Sequence, residues 1–204
     1  MNTINDTNIS FRANFITKVK GRGNMMTEVA KNFAERTKSM SGTLELVRGG
    51  SEYPGAMIFR LKDGDGPIFS ICNYSGLLGQ NSKKQTQKNI SSVTTKFINI
   101  FKTLKAEEEY AKKIKPIEEN LSCVEKELIA NKRTLKSLKE KNDMKFIPIF
   151  ESLVQGNTKR ISQLNSESNK IKQDYISKLE KIAEKDKTIA DFMEEEIDWL
   201  KYHY

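Results

Sequence analysis

The sequence predicts an α+β fold: a small antiparallel sheet with covering helices, followed by a long antiparallel helical hairpin of coiled-coil type. Three observations carry this. Ile114, Leu121, Leu128 and Leu135 recur every seven residues, Ile117, Val124 and Leu138 each follow three residues after one of the heptad positions, and Asn131 fills the remaining slot. That is an a/d seam with one polar interruption, the pattern of a helix that packs along another helix. A second stripe at helical spacing runs through Ile161, Leu164, Ser168, Ile171, Tyr175, Leu179, Ile182 and Ile189. Ahead of both, short segments alternate apolar and polar residues, as half-buried strands do.

Residues 1–8 are polar and are expected to be disordered. Ile9, Phe11, Ala13 and Phe15 alternate with Ser10, Arg12 and Asn14, which predicts a strand over 9–16. Gly21 and Gly23 break it, and Asn24 is placed to cap a helix over 25–40 that carries Met26, Val29, Phe33, Thr37 and Met40 on one face, with Ser41-Gly42 as its stop. Leu44 and Leu46, then Met57, Phe59 and Leu61, then Phe69 and Ile71 mark three strands of an antiparallel meander, with a tight turn at Asp63-Gly64-Asp65-Gly66. Ile90, Val93, Phe97, Phe101 and Leu104 step by three and four, so a helix over 86–105 is expected to cover the sheet.

Pro116 lacks an N–H and disfavours helical geometry at Lys115, so the helix either kinks there or a new one begins. The domain boundary is drawn near residue 110, giving an α+β domain over 9–110 and a hairpin over 111–187. Between the arms, Asn142-Asp143 reads as a loop. The apolar run Met144 to Val154 reads as a connecting helix of one or two turns, closed by Gly156-Asn157. Residues 188–204 read as an acidic amphipathic helix with Phe192, Met193, Ile197, Trp199 and Leu200 among five carboxylates. That tail either packs on the hairpin or docks on a basic partner or on the chain's own basic front domain.

Charge is unevenly spread. Residues 1–105 hold 16 Lys+Arg against 7 Asp+Glu, a net +9, and the remainder is −1, for +8 in all. A basic half attracts nucleic acid, anionic lipid or an acidic protein. The candidate phosphate contacts are Lys20 and Arg22 in the Gly-flanked turn before the first helix, and Lys83, Lys84 and Lys88 before the second.

Other chemistries lack their residues. The single histidine, His203, is next to last, so no histidine metal cluster or Ser-His-Asp set is expected. A calcium loop starting at Asp63 would need glycine and glutamate where Ile68 and Tyr74 stand. Gly21-Arg22-Gly23 is neither a P-loop nor a dinucleotide fingerprint. Adjacent glutamates such as Glu118-Glu119 point apart on a helix. No cofactor is expected.

Cys72 and Cys123 are far apart and form no CxxC, which suits free thiols in a reducing compartment and predicts a cytoplasmic protein. The opening residues lack the features of a secretory signal, and no stretch approaches a membrane span. The abundance of Lys, Asn and Ile is the usage of an AT-rich genome of bacterial type.

The function expected from these residues is non-catalytic: a protein–protein interaction or scaffold protein that presents its hairpin to a protein partner, with homodimerisation the rival way to cover the seam. The alternative is a basic nucleic-acid-binding protein that uses the N-terminal domain.

Overall fold

The computed structural model describes residues 13–17, 23–49, 51, 56–62, 68–71, 87–186, 190, 193–194, 197–198 and 200–201, with backbone alone at 23, 24, 70, 71, 87 and 88. It divides into two units, Met1–Glu108 with Lys178–Tyr204, and Glu109–Ser177.

In the first unit, four strands form one sheet in the order β1 (Asn14–Thr17), β2 (Thr43–Arg48), β3 (Met57–Leu61), β4 (Ile68–Ile71). The meander β2–β3–β4 is antiparallel, with Leu44 opposite Leu61, Leu46 opposite Phe59 and Phe59 opposite Phe69. β1 differs from the expected antiparallel sheet. It pairs parallel to β2, Phe15 beside Leu44, so the sheet is mixed. The reason lies in the connection: helix α1 (Gly23–Arg36) joins the two strands, and a crossover through a helix returns the chain in the same direction.

α1 ends at Arg36, four residues before the expected stop at Met40. Thr37 donates both its N–H and its hydroxyl to the Phe33 carbonyl, at 3.0 and 2.6 Å, and the chain then turns. Gly42 follows with φ +114°, a conformation that L side chains rarely adopt, and a Cβ there would meet Lys105 Cε at 3.0 Å. The Gly42 carbonyl accepts from Asn14 N–H at 2.9 Å, tying the return to the start of β1.

The core of this unit is aromatic. Phe97 lies 5.0 Å from Phe15 and 4.9 Å from Phe59 between ring centroids, and Phe33 meets Phe101 at 5.5 Å, all tilted or edge-on as ring quadrupoles favour. These rings join the sheet, α1 and helix α2 (Gln87–Glu140). Phe97, Ile98, Asn99, Ile100 and Phe101 are buried in succession, which no single face of a helix allows. α2 is therefore covered on more than one side. The C-terminal segment supplies further cover within the unit: Asn99 Nδ2 donates to Asp186 Oδ2 at 3.2 Å and Thr103 Oγ1 lies 3.8 Å from Met193 Sδ. Met193, Ile197 and Leu200 are buried, and Lys201 pairs with Glu180 at 2.8 Å.

α2 runs unbroken through Pro116, so no new helix starts there. The second unit pairs its continuation with α3 (Ile147–Ala183), and the two long helices pack against each other as an antiparallel hairpin within one chain. α3 is also one helix where a short connector and a second arm were expected. Gly156 is exposed within it, and apart from the adjoining helix backbone and chain neighbours nothing lies within 4 Å of where its Cβ would stand. One glycine weakens a helix by about 1 kcal/mol, too little to end one that is otherwise well packed.

Candidate functional site: the hairpin and its turn

The seam is dry over part of its length only. Ile114, Ile117 and Val124 are buried, and Ile117 and Val124 form a cluster with Leu164 of α3, joined by Leu121, Ile161 and Ile171. Tyr110 stacks on Tyr175 and Arg160 donates to Asn120 at 3.0 Å. Towards the turn Leu128, Asn131, Leu135 and Leu138 are only half-buried. The polar step at Asn131 falls in this looser stretch. On α3, the Nδ2 of Asn157 is shielded without a hydrogen-bond partner among the described residues.

The buried part also holds Lys172, only 5% exposed. Burial holds its ammonium pKa below the ordinary lysine value, while the carboxylate of Glu118 acts in the opposite direction. The helical stripe read from Ile161 onward passes over this residue and over Ile176, which is buried as well.

The turn is closed by backbone geometry. Asn142 has φ 53°, Asp143 N–H reaches back to the Leu138 carbonyl at 3.0 Å and Asn142 N–H to that of Lys139 at 3.2 Å. This is a Schellman ending with asparagine in the left-handed position that glycine usually fills. The Phe146 carbonyl accepts from Phe150 N–H at 3.2 Å, and Pro148 sits in the first turn of α3, where its missing N–H has no intrahelical acceptor to lose. Lys139 and Glu151 pair across the turn at 2.7 Å.

Around this turn the surface changes character. Met144 is 75% exposed, Ile149 54%, Leu153 44% and Phe146 41%, and on α2 Ile129 is 52% exposed. Residues 132–145 carry Lys132, Arg133, Lys136, Lys139, Lys141 and Lys145 against Glu140 and Asp143, a net +4. All six basic side chains are exposed. Lys145 Nζ stands 5.5 Å from the centre of the Phe146 ring. A shallow depression beside α2 is lined by Lys132, Leu135, Lys136, Lys139 and Glu140.

By sequence alone Met144 to Val154 reads as a connector, and none of these residues stands out as a binding candidate. The available signal was an apolar run directly after a charged loop. Of the other candidates, Lys20, Arg22, Lys83, Lys84, Phe192 and Trp199 lie outside the described residues, as does the side chain of Lys88. Among the described residues no group of three or more His, Cys, Asp or Glu is placed to hold a metal ion, and no helix is long and apolar enough to cross a membrane. Cys123 is exposed on α2.

Comparison with known protein families, with curated proteins and with solved structures finds no match for this chain.

Proposed function

We propose that this chain is a non-catalytic interaction or scaffold protein that holds a protein partner through its helical hairpin. The observation that carries the reading is the incomplete cover of the seam toward the turn, where Leu128, Leu135 and Leu138 are half-buried, with Ile129 beside the seam 52% exposed. A partner helix laid beside α2 would bury Ile129 and Leu135 against its own apolar stripe, and carboxylates on its flanks would meet Lys132 and Lys136. The lack of a nearby pair for either cysteine in the sequence supports a cytoplasmic setting for that partner.

Photo-crosslinking in cells from a benzophenone amino acid at position 129, with exposed position 127 on the opposite helix face as control, tests it. A discrete heterologous adduct from position 129 alone supports the proposal. An adduct of two copies of the chain transfers the surface to a homodimer, and no adduct from position 129 overturns the reading. The alternative, nucleic-acid binding by the N-terminal half, rests on the +9 of residues 1–105. It requires affinity for labelled DNA or RNA that falls steeply between about 50 and about 200 mM salt.

A further inference from the structure

We propose that the turn of the hairpin docks on an anionic phospholipid surface, with Met144, Phe146, Ile149 and Leu153 entering the interface and the surrounding lysines meeting the headgroups. Its apolar contacts are residues other than Ile129 and Leu135, so it does not rest on the preceding reading, although Lys132 and Lys136 flank both surfaces.

Four large apolar side chains between 41% and 75% exposed fall within the ten residues 144–153. An apolar group on this scale at a helix end calls for a covering partner. Three occupants fit an apolar patch: a second copy of the chain, another protein or a lipid surface.

A second copy is opposed by charge. Residues 132–145 carry a net +4, and bringing two such turns together opposes like charges at short range. A protein partner seated on the turn itself, as distinct from one lying along Ile129, is opposed by the kind of basic residue. Protein interfaces are enriched in Arg and depleted in Lys, whereas this turn holds five lysines to one arginine. Lysine suits a lipid boundary, because its aliphatic stem lies along apolar surface while the ammonium stays at the polar level. Lys145 and Phe146 set a cation beside one of the exposed rings, the ammonium 5.5 Å from the ring centroid.

The carboxylates of Glu140, Asp143 and Glu151 dilute the field, and Lys139 is already paired with Glu151. The remaining cations, Lys132, Arg133, Lys136, Lys141 and Lys145, lead the attraction to acidic lipid. The mode is interfacial, since no described helix is long and apolar enough to span a bilayer.

Co-sedimentation of the full chain with vesicles of mixed phosphatidylcholine and phosphatidylglycerol, against phosphatidylcholine alone, tests the proposal. The wild-type chain is expected to bind the anionic vesicles at least about tenfold more tightly. The triple variant Met144→Ser, Phe146→Ser, Ile149→Ser and the triple variant Lys136→Gln, Lys141→Gln, Lys145→Gln are each expected to lose about tenfold or more, with unchanged circular dichroism. Phe146→Trp adds a direct readout: its emission shifts to the blue with anionic vesicles, beyond the background of Trp199. No binding by the wild-type chain overturns the proposal. So does binding by both triple variants at the level of the wild-type chain, which moves the contact to the basic N-terminal half. Absence of vesicle binding, together with loss of the position-129 adduct in the apolar triple variant, would assign the turn to the protein partner instead.

Discussion

Tyr110 and Tyr175 stack face to face across the two helices of the hairpin, ring centroids 4.5 Å apart and planes within 9° of parallel. Tyr175 is 3% exposed and Tyr110 half-buried, so the pair closes the dry part of the seam opposite to the turn. Tyr175→Ala is expected to cost about 3 kcal/mol or more, as loss of a buried aromatic does, and Tyr110→Ala about 1 kcal/mol. Urea unfolding of the two single variants and the double variant is expected to return a coupling of about 1 kcal/mol between the rings. Strict additivity would mean that the two side chains act separately.

Burial along the seam predicts a gradient. Val124 is 2% exposed within the Ile117–Leu164 cluster, whereas Leu135 is half-buried toward the turn. Val124→Asp places a carboxylate in the dry stretch and is expected to cost at least about 3 kcal/mol, against about 1 kcal/mol for Leu135→Asp. Amide exchange gives the same order without mutation, with protection falling from residue 124 toward residue 138. Equal losses at the two positions would contradict the gradient.

Gly156 offers a gain. It lies exposed inside α3, outside the left-handed region of φ, with open space where a Cβ would stand. Gly156→Ala is therefore expected to stabilise the hairpin by about 0.5–1 kcal/mol, read as a rise in melting temperature followed by circular dichroism. A fall would show that the site needs the freedom of glycine.

Lys172 gives the hairpin a pH dependence of defined sign. Its folded pKa lies below the usual 10.5 because burial disfavours the ammonium, with Glu118 opposing that shift. The unfolded chain therefore binds the proton more tightly. The penalty on folding is full below the folded pKa and is relieved as pH rises through it toward the unfolded value. Lys172→Met is expected to be at least as stable as the wild-type chain at about pH 7, and its advantage is expected to shrink toward about pH 10. Urea midpoints across that range check this, and a wild-type advantage that grows as pH falls would reverse the sign.

Much of the architecture is legible in local patterns. The alternation at Leu44–Leu46 and Met57–Leu61 identifies two strands, the seven-residue spacing from Ile114 to Leu138 identifies an arm of the hairpin, and Asn142-Asp143 marks its turn. Each is a periodicity or a backbone preference contained in a few neighbouring residues, so the amino-acid order alone determines it.

What the tertiary structure decided depends on partners distant in the chain. The direction of β1 follows from the crossover through α1, which alternation cannot encode. The persistence of helix through Pro116 and Gly156 follows from long flanking stretches of helix and from packing that outweighs a local cost of one to a few kcal/mol. The tail's acidic, amphipathic composition left its partner open, and only the fold buries Met193, Ile197 and Leu200 within the first unit. An apolar run such as Met144 to Val154 looks the same whether it is covered or bare. Whether another element reaches it is a property of three-dimensional proximity, and here Met144, Phe146, Ile149 and Leu153 remain exposed.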